Sequence, residues 1–114
     1  MALTKGDVVL VPLPFTNLLQ TKLHPAVVLW ADPSGQNVTL CFISSQDINH
    51  LNVREFVLVS SDTEFSNTGL KVDSKVRATR LATTEHKLIT RRLGKLGTGY
   101  LQQLNVAMIQ AFQL

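Results

Sequence analysis

Apolar positions in the first half of the chain come in short unbroken runs, separated by proline, glycine and small polar residues. Asp7 to Leu13, DVVLVPL, is valine-rich and brief, which predicts a strand buried on both faces. Pro12 and Pro14 break it, and PFTNLLQTKLH predicts a loop of roughly ten residues, longer than most connections in a compact domain. Pro25 opens a second strand running to about Ala31, at a position where its missing N–H does least harm. Asp32-Pro33-Ser34-Gly35-Gln36-Asn37 is turn chemistry, because proline presets one dihedral and glycine admits positive φ. Val38 to Ile43 then predicts a third strand, hairpinned to the second and ending in the polar Ser44, Ser45 and Gln46.

Glu55 to Val59 reads as a fourth strand, and SSDTEFSNTG as a loop or short helical turn stopped by Gly69. Val76 to Leu81 and Leu88 to Leu93 predict two more strands. Alternation in the first puts Arg77, Thr79 and Leu81 on one face and Val76, Ala78 and Arg80 on the other. Thr98 is placed to cap a final helix in which Leu101, Leu104, Met108 and Phe112 form one apolar stripe. Gln102, Gln103, Asn105 and Gln110 make up its other face. A helix without a charged side chain predicts close packing, against the sheet or another subunit. Many short strands followed by one helix predict a mainly β fold with small α content, a closed or half-closed barrel plus a C-terminal helix.

Composition adds limits. At 114 residues with 45% apolar side chains, residues 1–114 are expected to form one packed domain. The lone Cys41 excludes an internal disulfide framework. No signal sequence follows Met1, and no apolar run approaches the roughly 20 residues that span a bilayer, so a soluble cytoplasmic protein without a membrane partner is expected. Charge is segregated. Lys71 to Lys95 holds eight basic residues against Asp73 and Glu85, net +6, whereas residues 1–70 carry three basic and six acidic groups, net −3. Such a stretch suits a polyanion or an acidic protein, or is simply a solvated strand face.

Motif chemistry is sparse. GKLGTG, from Gly94 to Gly99, has its lysine on the wrong side for a phosphate loop and reads better as a turn into the last helix. His24, His50 and His86 are scattered and Cys41 lacks a CxxC partner, so no metal site and no cofactor are expected. Cys41 reads as core. Trp30 and Tyr100 could stack a base or fill a core or interface.

KGDVVLVPLPF, a polar loop, HPAVVL, LCFISSQ, DSKVRATRL and RRLGKL together resemble the MazF/PemK toxins of bacterial toxin–antitoxin pairs, from Lys5 to the C-terminal helix. The resemblance implies an SH3-like β-barrel with a C-terminal helix, a homodimer, metal-independent cleavage of single-stranded RNA, and a small acidic antitoxin that blocks the site. Residue by residue, His24 stands where the family usually has arginine before the second strand's proline. Ser44 matches the Thr/Ser ending the third strand. Arg77 matches the arginine of the PemK-like branch, but Thr79 takes the place of its aspartate.

Under that resemblance the catalytic candidates are His24, Ser44 and Arg77, and the RNA-binding candidates are Lys22, Thr79 and Arg80. Metal-free RNA cleavage needs a group that takes the 2′-OH proton, one that stabilises the phosphorane and one that protonates the leaving 5′-oxygen. Histidine, with an unperturbed pKa of about 6.5, can take or give that proton near neutrality, which arginine cannot. Arg77 would fork the non-bridging oxygens, Ser44 would donate to them, and Lys22 and Arg80 would track the backbone. Each has a plainer reading: His24 as a backbone cap at a loop end, Ser44 as the close of a strand, Arg77 as a solvated charge. The expected function is a sequence-selective endoribonuclease (mRNA interferase) toxin. The alternatives are a catalytically silent RNA- or antitoxin-binding relative, or a CcdB-like toxin that targets gyrase through its terminal helix.

Overall fold

The computed structural model describes residues 1–12 and 22–114. Six strands, β1 (Asp7–Pro12), β2 (Leu23–Ala31), β3 (Asn37–Ser44), β4 (Glu55–Leu58), β5 (Ser74–Glu85) and β6 (Arg91–Lys95), form one antiparallel sheet in the order β4-β5-β3-β2-β1-β6. The helix α1 (Thr98–Phe112) packs on β4 and β5. The fold is the expected one: mainly β, an SH3-like curled sheet with one C-terminal helix.

The unbroken valine runs are explained by two apolar clusters, one on each face of the sheet. Val8, Val27, Cys41, Ile43, Val76 and Ala78 point to the cluster that α1 covers with Tyr100, Leu104 and Ala107. Val9, Val11, Ala26, Val28, Leu40 and Phe42 point the other way, onto Leu3 and Ile89. Alternate residues of one strand therefore feed opposite clusters, so every position must be apolar. Cys41 is core as expected, its thiol pushed up to about 12 mainly by burial.

Curvature comes from three breaks in register. Leu29 is extra in β2 between the pairs Val28↔Leu40 and Trp30↔Thr39, and Leu93 is extra in β6 between Val8↔Gly94 and Val9↔Arg92. The third is larger: Cys41 pairs with Leu81 but Phe42 pairs with Arg77, so Ala78, Thr79 and Arg80 bulge from β5. Glycines let the remaining gap close. A Cβ on Gly94 would lie 2.2 Å from the Asn67 carbonyl oxygen, so this strand meets the 3₁₀ turn Phe65–Thr68 backbone to backbone.

Several sequence expectations shift. Strand β2 begins at Leu23, with Pro25 paired to Leu10 on β1 but lying beyond the last β3 pair, Ala26↔Phe42. Strand β4 ends at Leu58, one residue early, and β5 runs on from Leu81 to Glu85. The expected strand Leu88–Leu93 is instead a 3₁₀ turn (His86–Leu88) followed by β6. The bulge overturns simple alternation, so Arg80 is exposed rather than sharing a face with the buried Val76 and Ala78. Thr98 does not cap α1. The N-cap is Gly97, and the Glu64 carboxylate reaches across to accept from the backbone N–H groups of Gly99 (3.0 Å) and Tyr100 (3.3 Å). The helix buries Tyr100, Leu104 and Ala107, and the expected stripe residue Phe112 is exposed. Leu13, Pro14 and most of the expected loop lie outside the described residues. No helix among those described is long and apolar enough to cross a membrane.

Candidate functional site

A cleft of about 820 Å³ opens where the ends of β2 and β3 meet the bulge of β5. His24, Ser44, Arg77, Thr79 and Arg80 all line it, so five of the six candidates come together. Lys22 is exposed and stands outside the lining. Register explains the convergence. Arg77 is opposite Phe42, which is opposite Ala26, and Ser44 is opposite Lys75 two residues along. His24 lies two residues beyond the last β2–β3 pair, Ala26↔Phe42, where β2 continues to pair with β1. Arg77 is then diagonal to Ser44, about 7–8 Å between backbones, which its long side chain spans.

Each side chain has a defined state. His24 pairs with Val11 on β1, and its Nε2 is buried without a hydrogen-bond partner among the described residues. Burial first, and the Lys22 charge second, lower its pKa below the ordinary 6.5, so the ring favours the neutral, proton-accepting form. Ser44 Oγ accepts from the Gln46 N–H at 3.1 Å, leaving its own O–H free to donate. Arg77 is no free surface charge. Its Nε donates to Glu55 Oε2 at 3.0 Å while the side chain stays 39% exposed, so the terminal nitrogens remain accessible. The bulge delivers Thr79 and Arg80 outward, with the Ala78 N–H satisfied by the Arg54 carbonyl at 3.0 Å.

Lys71 and Arg91 also line the cleft, and no Asp or Glu does among the described residues. The sequence placed both in the basic stretch but could not choose them from it. Register does choose: Arg91 pairs with Leu10, itself in the lining, whereas Arg92 pairs with Val9 and reaches the buried Asp7 at 3.8 Å. Glu55, which holds Arg77, stands in the sequence only as the start of a strand. Of the aromatic candidates, Tyr100 is core and donates its hydroxyl to Asp62 at 2.6 Å, and Trp30 is 49% exposed on β2 away from the lining. Among the described residues no group of three or more His, Cys, Asp and Glu comes together.

The arrangement is a cationic cleft, without a carboxylate among the described residues, that brings together an imidazole whose pKa is lowered, a hydroxyl donor and a held guanidinium, which suits a phosphodiester. Known structures share the fold. A mycobacterial endoribonuclease in complex with its cognate antitoxin superposes with a TM-score of 0.73 at 15% identity, covering 99% of this chain and 97% of that one. The Mycobacterium tuberculosis toxin MazF-mt6 gives 0.74 at 21% identity, covering 95% and 97%. MazF from Deinococcus radiodurans gives 0.69 at 16% identity, covering 96% and 94%. No curated protein matches in sequence. The class that these likenesses define is one of fold, a small curled antiparallel sheet with one C-terminal helix. The family model for the PemK-like, MazF-like toxin of type II toxin–antitoxin systems matches residues 4–112, and the chain belongs to that family.

Proposed function

We propose that the cleft cuts single-stranded RNA, sequence-selectively and without a metal, by attack of a ribose 2′-oxygen on the adjacent phosphorus. His24 takes the 2′-OH proton as the P–O2′ bond forms, and the terminal N–H groups of Arg77 and the Ser44 hydroxyl stabilise the phosphorane oxygens. The P–O5′ bond then breaks. The leaving oxygen takes its proton from a water, whose hydroxide recovers the proton held by His24, leaving a 2′,3′-cyclic phosphate and a 5′-hydroxyl. Arg80, Thr79 and Lys22 hold the flanking strand. The protein works in the cytoplasm as a homodimer, and a small acidic antitoxin competes for the same cations. The observation that carries this reading is the convergence of His24, Ser44 and Arg77 on one cleft lined, among the described residues, by four cations, Lys71, Arg77, Arg80 and Arg91, and by no carboxylate.

Purified protein incubated with long single-stranded RNA in EDTA should cut it, and His24→Ala and Arg77→Ala should each lower the rate by about 10²-fold or more. Uncut RNA, or variants as active as the parent, would refute the assignment. Thr79 in place of an acidic side chain favours a second reading, a silent relative that binds RNA or antitoxin only. Tight binding without cleavage is its signature.

A further inference from the structure

Glu55 occupies a position that the proposed chemistry does not itself use. It opens the edge strand β4 directly opposite Arg77, its side chain is only 6% exposed, and it does not line the cleft. Its two oxygens are divided. Oε1 accepts from Lys75 Nζ and from the Asn52 backbone N–H, both at 3.3 Å, and Oε2 accepts from Arg77 Nε at 3.0 Å. Burial alone would raise the carboxyl pKa, but these donors outweigh it and hold the group ionised.

Lys75, itself 8% exposed, gives its other two protons to the carbonyls of Asp47 (3.2 Å) and His50 (3.1 Å). Asp47 sits at φ 51°, in the left-handed region, immediately after the cleft residues Ser45 and Gln46. One buried carboxylate thus links the guanidinium on one wall of the cleft to the loop that borders another. Its grip on Arg77 is through Nε, the nitrogen nearest the stem, so the terminal N–H groups stay available. An unheld arginine would lose rotamer freedom on meeting a phosphate. A held one has lost it already.

We infer that Glu55 is the positioning residue of Arg77, fixing the guanidinium so that its terminal N–H groups present a preformed fork to phosphate in the cleft. A carboxylate needed only to neutralise buried Lys75 would act on stability and leave the reaction alone. The catalytic half of this inference rests on the RNA-cleaving reading above; the geometric half does not.

Two measurements separate the halves. In protein labelled with ¹⁵N-arginine, the Arg77 Nε–Hε signal, assigned with Arg77→Lys, should be protected from exchange in the parent and should shift and exchange faster in Glu55→Gln. In cleavage assays Glu55→Gln should lower kcat by about 10- to 100-fold with KM within about threefold, and should add nothing in an Arg77→Ala background. An unprotected Arg77 signal in the parent, an unchanged signal in Glu55→Gln, or effects of Glu55→Gln and Arg77→Ala that multiply would each overturn the inference. Should Glu55→Gln fail to fold, the parent's Nε–Hε protection alone decides. Should the parent cut no RNA, the functional reading falls and the same signal still tests Glu55.

Discussion

At the scale of single residues, the proposed chemistry depends on an imidazole that gives up its proton easily. Desolvation and the neighbouring Lys22 disfavour the charged ring, so the folded pKa of His24 lies below its unfolded value of 6.5. Between those two values the unfolded chain binds more protons, and His24 therefore makes stability rise with pH through that window and fall as pH drops. An NMR titration should find the His24 midpoint below 6.5, and the acid limb of cleavage should follow it. A midpoint above 6.5 would mean the ring is paired with an anion the cleft does not contain. Ser44→Ala should slow cleavage by about 10²-fold, the cost typical of one oxyanion donor, with melting temperature little changed. His24, Ser44 and Arg77 are candidates through the MazF/PemK-like segments HPAVVL, LCFISSQ and DSKVRATRL, and all three line one cleft. Glu55 could not be picked in this way, since a glutamate opening EFVL reads as solvent-facing until the pairing of β4 with β5 sets it against Arg77.

Elements are positioned by devices remote in sequence, which is why their existence was easier to read than their ends. The sequence offers Thr98 as the local cap of Thr98–Phe112, whereas the structure supplies the acceptor from Glu64. Removing it with Glu64→Ala should cost about 0.5–2 kcal/mol in urea unfolding without changing the cleft's chemistry. A destabilisation near zero would show the cap to be redundant. Close backbone approach is equally invisible in sequence. Gly94→Ala would drive a Cβ against the Asn67 carbonyl and should cost about 1–3 kcal/mol, read as a lower midpoint. The β5 bulge is the element that most concerns function. Strict alternation would turn Arg80 toward Val76 and Ala78, whereas three unpaired residues release it to the cleft with Thr79. A strand reads as alternating until its partner shows where the register slips.

For the whole molecule, the segregated charge seen along the chain becomes a place. Lys71, Arg77, Arg80 and Arg91, all from the one basic stretch, line one cleft, while Arg92 and Lys75 turn to internal carboxylates. Binding of single-stranded RNA should therefore weaken steeply with salt. Arg91→Ala should flatten the slope of log K against log salt by about 0.7, and Arg92→Ala should change it much less. Equal effects would mean that the basic stretch acts as a diffuse field. The most direct test of the account is the chemistry of the cut ends. RNA cleaved by the purified protein in EDTA should carry 2′,3′-cyclic phosphates and 5′-hydroxyls, the outcome of 2′-oxygen attack. Products bearing 3′-hydroxyls and 5′-phosphates would contradict it.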